Sequence, residues 1–452
     1  MMNIMKIGIL IVLITGMNLS LAWASPSCNK STTGGVPDTK IQSAVSNPAY
    51  TNYDMSPRIV LANKETEIVI TPRSSQNSFS SMKNYRITYV PIRNINLSGK
   101  WSWDQRQKTP KLVNGSLKLS LYFEGEQEHM LRLEEVSLLS TKLLGDFRVY
   151  SVFDDLYEKT PLKGEMHSHT NRSDGVEEPK IVAGTYRKYG YDFLAITDHY
   201  LYAPSIEAIN FYQPLNLDFK LFPGEEVQPL EMSYVHTVSF GASTGIANLM
   251  LNRTQYLKEV DAIQSMLPAA PAGVSARDYA ILAWVYTKIR ENGGMSILAH
   301  PYWQYNFQNY PSEPLLDCLL ERRHFDAYEI ISGYSASEQE FQNLQVTRYY
   351  EEYFQGRKLP VVGNGDTHGV NTGTLFNWYF SLVFSPSSDL SDIIQSVKSL
   401  NSVAVTQVNG ASPTIYGPHR LVKYGNFLLR EVFPEHHALC NTEGDLMLQY
   451  AN

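Results

Sequence analysis

The sequence is poor in cysteine and carries no excess of positive charge. Its 452 residues include only Cys28, Cys318 and Cys440, and none of these forms a C-x-x-C pair, which excludes a zinc knuckle and a thioredoxin-like motif. One disulfide with one thiol left over is possible, but the sequence favours no pairing. The formal net charge is −7, so no basic face for bulk nucleic acid is expected.

Long apolar runs are also lacking after the first 24 residues, so no later segment is predicted to span a bilayer. Within residues 1–24, Lys6 precedes a short apolar stretch that ends at Ala22, Trp23 and Ala24, which is the pattern of a cleavage site for export. We interpret residues 1–24 as a signal peptide cut after Ala24. The mature protein is expected to be periplasmic or secreted, without a transmembrane segment.

Composition and periodicity divide the remaining chain into three parts. Residues 25–56 are rich in Ser, Thr, Pro and Gly, and we interpret them as a linker. Residues 57–155 show strand periodicity with turn signals between the strands, which predicts a β-sandwich-like domain. In residues 160–452, short apolar runs alternate with helical stretches, which predicts an α/β domain with parallel strand pairing, either a barrel or a doubly wound sheet, followed by a C-terminal extension.

The strand periodicity is clearest in "GSLKLSLYFEG", residues 115–125. Leu117, Leu119, Leu121 and Phe123 alternate there with polar or amphipathic side chains. Alternation with a period of two is typical of a strand that has one buried face.

Residues that can bind metals recur at the ends of the apolar runs in the second half of the chain. They are His167, His169 and Asp174 in "MHSHTNRSDG", Asp198 and His199 in "AITDHY", Glu225 and Glu226 in "PGEEV", His300 in "LAHPYW", and Asp366 and His368 in "GNGDTHG". His236, in "YVHTVSF", lies inside its run. In a β/α barrel the carboxyl ends of the strands open into one mouth, so these side chains are expected to converge.

Taken singly, each motif has an ordinary explanation. An H-x-H pair occurs by chance in many proteins, Asp174 before a glycine is typical of a turn, and Glu225 and Glu226 could be surface charges. Their recurrence at strand ends favours a shared site. The number of candidate ligands exceeds what one tetrahedral zinc ion uses, so two or three divalent ions that share a bridging carboxylate are expected.

The ordered set of motifs between about residues 160 and 370 resembles the PHP family, named for polymerase and histidinol phosphatase. The resemblance rests on "MHSHTNRSDG", "YDFLAITDHY", "PGEEV", "VHTVSFG", "ILAHPYW" and "VVGNGDTHG". It implies a distorted (β/α)7 barrel, similar to a TIM barrel, with a trinuclear metal centre that hydrolyses phosphoesters.

The resemblance also implies which residues bind each ion. The first ion is expected on His167, His169, Glu226 and Asp366; the second on Glu226, His236 and His300; and the third on Asp174, His199 and His368. Family spacing favours Glu226 over Glu225. Some family members have a histidine in place of Asp174, and an oxygen ligand there shifts the preference towards manganese or iron. The choice among zinc, manganese and iron stays open.

These features predict an exported metal-dependent phosphoesterase that hydrolyses small phosphate mono- or diesters by means of a metal-activated water. Asp198 is predicted to orient an imidazole or relay a proton, and Arg172 to reach a substrate phosphate. No G-x-S-x-G motif suggests a serine nucleophile at the strand ends.

Two alternatives stay open at this point. The first is an amidohydrolase-like enzyme that uses the same metals to cleave a C–N or C–O bond. The second is a metal-binding recognition protein without turnover. The sequence does not indicate the oligomeric state.

Overall fold

The chain has a mixed α/β fold. The computed structural model describes residues 47–93, 106–371 and 375–452. The predicted signal peptide, residues 25–46 of the predicted linker and Cys28 lie outside these ranges. Among the described residues, no helix is both long and apolar enough to cross a membrane. Within the same ranges Cys318 and Cys440 are buried and free, so no disulfide joins them.

The described residues of the N-terminal part contain nine strands in two sheets. The strands are β1 (Tyr53–Ser56), β2 (Ile59–Leu61), β3 (Lys64–Pro72), β4 (Asn84–Pro91), β5 (Gln107–Lys108), β6 (Lys111–Val113), β7 (Ser116–Phe123), β8 (Gln127–Val136) and β9 (Thr141–Val152), with the short helices α1 (Ala49–Asn52) and α2 (Asp154–Tyr157). One sheet has the order β1-β3-β7-β6 and the other β2-β9-β8-β4-β5. All pairs are antiparallel except β2 with β9.

The alternation in β7 is confirmed by burial. Leu117, Leu119, Leu121 and Phe123 are all buried, whereas Tyr122 is exposed. The buried side chains belong to one hydrophobic core that also contains residues of β3, β4, β8 and β9. The two sheets therefore share a core, as a period of two with one apolar face predicts.

The structured chain begins earlier than the predicted linker boundary at residue 56. Strand β1 pairs antiparallel with β3, and its residues alternate between buried and exposed, with Tyr53 and Met55 buried. The polar composition of the preceding residues concealed this short strand. Residues 49–56, the last eight of the predicted linker, therefore form α1 and β1.

The C-terminal part carries the remaining strands and helices. The strands are β10 (Thr160–Glu165), β11 (Phe193–Ala195), β12 (Lys220–Phe222), β13 (Gly224–Val227), β14 (Thr237–Phe240), β15 (Met295–Leu298), β16 (Trp303–Tyr305), β17 (Gln308–Tyr310), β18 (Ala327–Ile331), β19 (Val361–Gly363), β20 (Tyr379–Ser385), β21 (Ser402–Thr406) and β22 (Thr414–Tyr416). The helices are α3 (Pro179–Lys188), α4 (Ala203–Tyr212), α5 (Ile246–Met250), α6 (Arg253–Met266), α7 (Ala276–Glu291), α8 (Glu313–Arg322), α9 (Gln339–Phe354), α10 (Leu390–Lys398), α11 (His419–Glu431) and α12 (Phe433–Ala451).

These strands form two larger sheets and one hairpin. The orders are β12-β11-β10-β20-β21-β22 and β13-β14-β15-β18-β19, and β16 pairs with β17. The expected parallel pairing occurs for β10 with β11, β11 with β12, β15 with β18 and β18 with β19. By contrast, β13, β14 and β15 pair antiparallel. Only residues 228–236 connect β13 to β14, which is too short for the helical crossover that parallel pairing requires.

Two isolated parallel bridges link the two larger sheets. One joins His199, which follows β11, to Glu226 in β13, and the other joins Ser168, which follows β10, to Thr367, which follows β19. The backbone amide of Glu226 donates to the carbonyl of Thr197 at 3.1 Å. The residues that follow β10, β11 and β19 are thus held close to β13.

The N-terminal sheets pack on the C-terminal helices. The ring of Tyr150 in β9 lies 5.0 Å from the ring of Tyr424 in α11. Beside this apolar contact, the Arg420 guanidinium makes ion pairs with Glu126 and Asp155, both with a shortest distance of 2.6 Å. The buried contact between Tyr150 and Tyr424 packs α11 against β9, and the partly exposed ion pairs lie beside it.

Candidate metal centre

The predicted ligands follow strands that run in the same direction. His167 and His169 lie just after β10, and His199 follows β11. His300 comes after β15, and Asp366 follows β19. Because the carboxyl ends of parallel strands share one edge of a sheet, these side chains are brought to a common mouth.

His236 reaches this mouth by a different route. It immediately precedes β14 instead of following a strand. Since β14 runs antiparallel to β15, its amino end lies at the same edge as the carboxyl end of β15. The antiparallel pairing therefore explains why a histidine placed at the start of its strand joins ligands placed at the ends of theirs.

Glu226 lies at the centre of the cluster and is fully buried. Its carboxylate oxygens are surrounded by five imidazoles. The N–O distances are 3.3 Å to His167, 3.5 Å to His169, 2.6 Å to His199, 2.8 Å to His236 and 3.1 Å to His300. One carboxylate among five imidazoles is the arrangement expected of a bridging ligand.

Asp366 and Asp174 extend the cluster on either side of His169. The Asp366 carboxylate lies 2.9 Å from His169 and 3.2 Å from His167. The Asp174 carboxylate lies 3.3 Å from both His199 and His368 and 3.6 Å from His169. All nine predicted ligands are thereby joined into one cluster.

The cluster is deep at one side and open at the other. The side chains of His167, His169 and Glu226 are inaccessible to solvent, whereas 37% of the His368 side chain and 53% of the Asp174 side chain are exposed. A small substrate can therefore approach from the Asp174 side.

Several buried polar atoms of the cluster have no hydrogen-bond partner in the part of the chain that the structure describes. They are Nε2 of His167, both ring nitrogens of His169, Oε2 of Glu226, Nδ1 of His300 and Oδ1 of Asp366. Leaving such atoms unpaired costs about 1–3 kcal/mol each. Nitrogen and oxygen atoms that converge in this way fit divalent cations, which would bind one nitrogen of each imidazole together with the carboxylate oxygens.

Four groups of these residues place their donor atoms close enough for one ion each. They are His167 with His169 and Asp366; His167 with Glu226 and His300; His199 with Glu226 and His236; and His169 with Asp174, His199 and His368. The last group contains the full set predicted for the third ion. Of the other three groups, two contain His167 and two contain Glu226, so neighbouring ions would have ligands in common. His236 and His300, both predicted for the second ion, fall in separate groups.

The charges of the cluster also favour cations. Burial raises the pKa of Glu226, but the imidazoles of His236 and His167 outweigh it and hold that pKa well below its ordinary value. Burial likewise raises the pKa of Asp366, but His167 and His169 lower it by more than burial raises it, so the net shift is downward. Both carboxyl groups are thus ionised.

Among known proteins, the chain shows similarity to solved structures but not to protein-family models or curated proteins. The sequence matches no protein-family model and has no significant match among curated proteins. A two-domain protein from Bacteroides vulgatus, which contains a predicted PHP-like metal-dependent phosphoesterase, is 15% identical over 55% of this chain, with a TM-score of 0.39. The matched region spans 65% of that protein, slightly less than two thirds.

Two further structures cover more of their own length. A candidate metal-dependent phosphoesterase from Bifidobacterium adolescentis is 20% identical, covers 47% of this chain and 91% of its own, and has a TM-score of 0.32. An amidohydrolase from Chromobacterium violaceum, with bound sulfate and no metal, is 18% identical, covers 46% of this chain and 87% of its own, and has a TM-score of 0.28. The chain is similar to PHP-like proteins. These similarities are distant.

Close backbone approach explains two glycines beside the cluster. A Cβ at Gly175 would lie 2.7 Å from the backbone of His169, and one at Gly333 would lie 2.3 Å from the Cβ of Asp366. Asp366 and His300 themselves have positive φ angles, of 46° and 24°. Non-glycine residues in this region carry strain of about 1–3 kcal/mol, which is typical of functional sites.

Asp198 is buried but contacts no imidazole among the described residues. Its carboxylate accepts hydrogen bonds from the backbone amides of Thr170 and Ser173 and from both of their hydroxyls. The predicted role of orienting an imidazole is therefore replaced by that of holding the loop between His169 and Asp174. Both oxygens of this carboxylate are occupied by these four hydrogen bonds.

Arg172 is directed towards a neighbouring helix. Its guanidinium forms a bidentate salt bridge with Glu207 in α4, at 2.7 and 3.0 Å, and is 39% exposed. Contact with a substrate phosphate would require this pair to separate. The predicted role of Arg172 stays a prediction.

Sequence reasoning missed three residues that hold the ligands. Glu329 in β18 accepts hydrogen bonds from Nδ1 of His167 at 3.1 Å and from the backbone amide of His300 at 2.7 Å. Glu165 accepts from the backbone amide of His167, and the Gln228 amide lies 2.7 Å from His199 and 2.9 Å from His236. Glu329 had a signal in the sequence, since a charge inside the apolar run "AYEII" is costly to bury without a partner.

Replacing Glu329 by glutamine is expected to lower metal affinity by about 10- to 100-fold, because carboxylates that hold the second nitrogen of a ligand histidine typically contribute this much. Metal titration against a competing chelator measures the effect. Glu352→Gln is a matched control, since Glu352 is equally buried but pairs with Arg348 and Arg357. Equal metal affinity in wild type and Glu329→Gln would contradict this role.

A second group of possible ligands lies at the opposite end of β11. Asp192 precedes this strand, and its Oδ1 lies 2.7 Å from Nε2 of His436, which is 3.3 Å from the Cys440 sulfur. The Asp192 carboxylate also accepts from the Lys163 amide at 2.8 Å and lies 3.5 Å from the Arg187 guanidinium. The positive charge of this arginine would repel a cation. We therefore interpret the group as a hydrogen-bonded contact between α12 and the residue before β11.

Proposed function

We propose that the protein is an exported metal-dependent phosphoesterase that hydrolyses small phosphate mono- or diesters at a multinuclear site of two or three divalent ions. One observation carries this proposal. Buried nitrogen and oxygen atoms of His167, His169, Glu226, His300 and Asp366 converge without hydrogen-bond partners in the described chain. A site of this composition is explained by cations and is costly without them.

The proposed ligands supply the charge that holds the ions, and neighbouring residues position them. Glu226 and Asp366 supply buried negative charge, and five imidazoles surround Glu226. Divalent ions bound there supply positive charge for the phosphoryl oxygens and lower the pKa of water towards neutrality. Glu329 and Gln228 orient the imidazoles, and Asp198 fixes the loop that carries Asp174. No protein nucleophile is required.

The same proposal includes a distorted seven-stranded barrel with an N-terminal β-sandwich. The isolated bridges support it. The pair His199 with Glu226 joins β11 to β13, and the pair Ser168 with Thr367 joins β19 back to β10, so the order β10-β11-β13-β14-β15-β18-β19 closes on itself. The shared core of the two N-terminal sheets supports the sandwich. Export rests on the sequence pattern of residues 1–24 alone.

Elemental analysis combined with hydrolysis of aryl phosphate mono- and diesters tests the proposed activity. We expect at least two equivalents of zinc, manganese or iron, and we expect chelation to abolish hydrolysis because the positive charge that stabilises the phosphoryl oxygens is lost. Restoring the metal should restore the rate. Hydrolysis that survives complete metal removal, or cleavage of C–N substrates alone, would overturn the proposal.

A further inference from the structure

An uncharged aromatic hairpin borders the candidate metal centre. Strands β16 and β17 pair antiparallel within the sequence "WQYNFQNY", residues 303–310, which consists only of aromatic and carboxamide side chains and contains no charged residue. It begins three residues after His300. Neither the metal ligands nor the proposed hydrolysis requires this composition.

The aromatic side chains connect the hairpin to the ligands. The ring of Trp303 lies 5.3 Å from the ring of His236 and 5.9 Å from the ring of His300. Farther along the same surface, Tyr305 stacks on Tyr234 at 4.6 Å with an interplanar angle of 19°. Aromatic faces thus extend outwards from the imidazoles.

The tip of the hairpin exposes an aromatic side chain in a strained turn. Asn306 and Phe307 have φ angles of 48° and 63°, as a two-residue turn of this kind requires. Glycine or asparagine suits such positions, whereas phenylalanine does not. Phe307 is nevertheless present and fully exposed, although nothing in the described fold packs on it.

We infer that this hairpin, together with Tyr234, binds the sugar ring of a phosphorylated carbohydrate whose phosphoester lies at the metal centre. The inference rests on the proposed function and names its substrate class. The slightly positive C–H face of a pyranose packs on the negative face of an aromatic ring. Carboxamides both donate and accept hydrogen bonds, as sugar hydroxyls do.

The details of the surface favour a sugar over a nucleotide base. The Tyr234 and Tyr305 rings are stacked on each other, so they leave no slot between them for a planar base. Gln304 and Asn309 are exposed or half-buried, and their side chains bond to each other at 2.8 Å, so they lie together on the hairpin. The segment has no cation to pair with further phosphates of a nucleotide.

The test compares phosphate monoesters with and without a pyranose ring. With the metal-loaded full chain, kcat/KM is measured for hexose 1-phosphates, glycerol 3-phosphate and adenosine monophosphate in wild type, Trp303→Ala, Tyr305→Ala and Phe307→Ala. We expect hexose 1-phosphates to be preferred and all three variants to lose about 3- to 10-fold on them. Tyr305→Ala and Phe307→Ala, which lie farther from the candidate ligands, should lose less than about twofold on glycerol 3-phosphate. Phe354→Ala, at an exposed aromatic on α9, is the matched control.

A binding measurement separates this inference from the proposed function. Saturation-transfer NMR with hexose 1-phosphates should show contact in wild type and weaker contact in the Trp303 and Tyr305 variants, whether or not turnover occurs. Equal losses on hexose and glycerol phosphates, or a preference for adenosine monophosphate, would overturn the inference while leaving metal-dependent hydrolysis of aryl phosphates intact. Absence of all phosphoester hydrolysis would instead overturn the proposed function.

Discussion

Replacing His169 by alanine is expected to reduce turnover of phosphoesters by at least about a thousandfold. His169 is the histidine whose nitrogens face both parts of the cluster, with Asp366 on one side and Asp174 on the other. Its ring also lies 4.3 Å from that of His368. Loss of a ligand at the centre of the cluster removes several kcal/mol of charge stabilisation, and each 1.36 kcal/mol corresponds to a factor of ten in rate.

The fold is expected to survive this substitution. The backbone amide of His169 bonds to the carbonyl of Thr367 at 2.8 Å, and alanine retains that bond. Far-UV circular dichroism should therefore stay close to that of the wild type, whereas elemental analysis should show fewer bound ions.

The control for this substitution is His419→Ala, at an exposed histidine on α11. It should change neither the rate nor the metal content. A His169→Ala protein with full metal content and a rate near that of the wild type would show that the ring is not a ligand.

The positions of the candidate ligands could be predicted because their signal is local. A histidine or carboxylate directly after an apolar run identifies both its strand and the end at which it lies, as for His199 and His300. The alternation around Leu119 similarly predicted a half-buried strand. In these cases the sequence neighbours determine the outcome, and the structure places the residues accordingly.

The remaining features depend on contacts between distant segments. Glu329 acquires its role from His167, which is far away in the sequence but 3.1 Å away in space. Asp198 lies next to His199, yet its partners are Thr170 and Ser173. The antiparallel direction of β14 follows from strand pairing across a short connection. Periodicity within one segment contains none of this information.

Replacing Glu226 by glutamine is expected to abolish the stabilisation that metal gives to the fold. Ions that bind the native state stabilise it by about 4 kcal/mol when the free ion is at roughly a thousand times its Kd. Glutamine keeps the size of Glu226 but removes its charge and presents an N–H group to the imidazoles. The rise in Tm on metal addition, measured by calorimetry, should therefore be large for wild type and nearly absent for Glu226→Gln.

The adjacent glutamate provides a control of the same size, burial and sequence position. Glu225 is also fully buried, but its carboxylate accepts from the backbone amides of Ile246 and Ala247 at the start of α5. Burial raises the pKa of Glu225 to about 7, so a neutral glutamine resembles its protonated form. Glu225→Gln should keep the metal-dependent rise in Tm. If the two variants behaved alike, the structure's distinction between a bridging glutamate and a glutamate that caps a helix would fail.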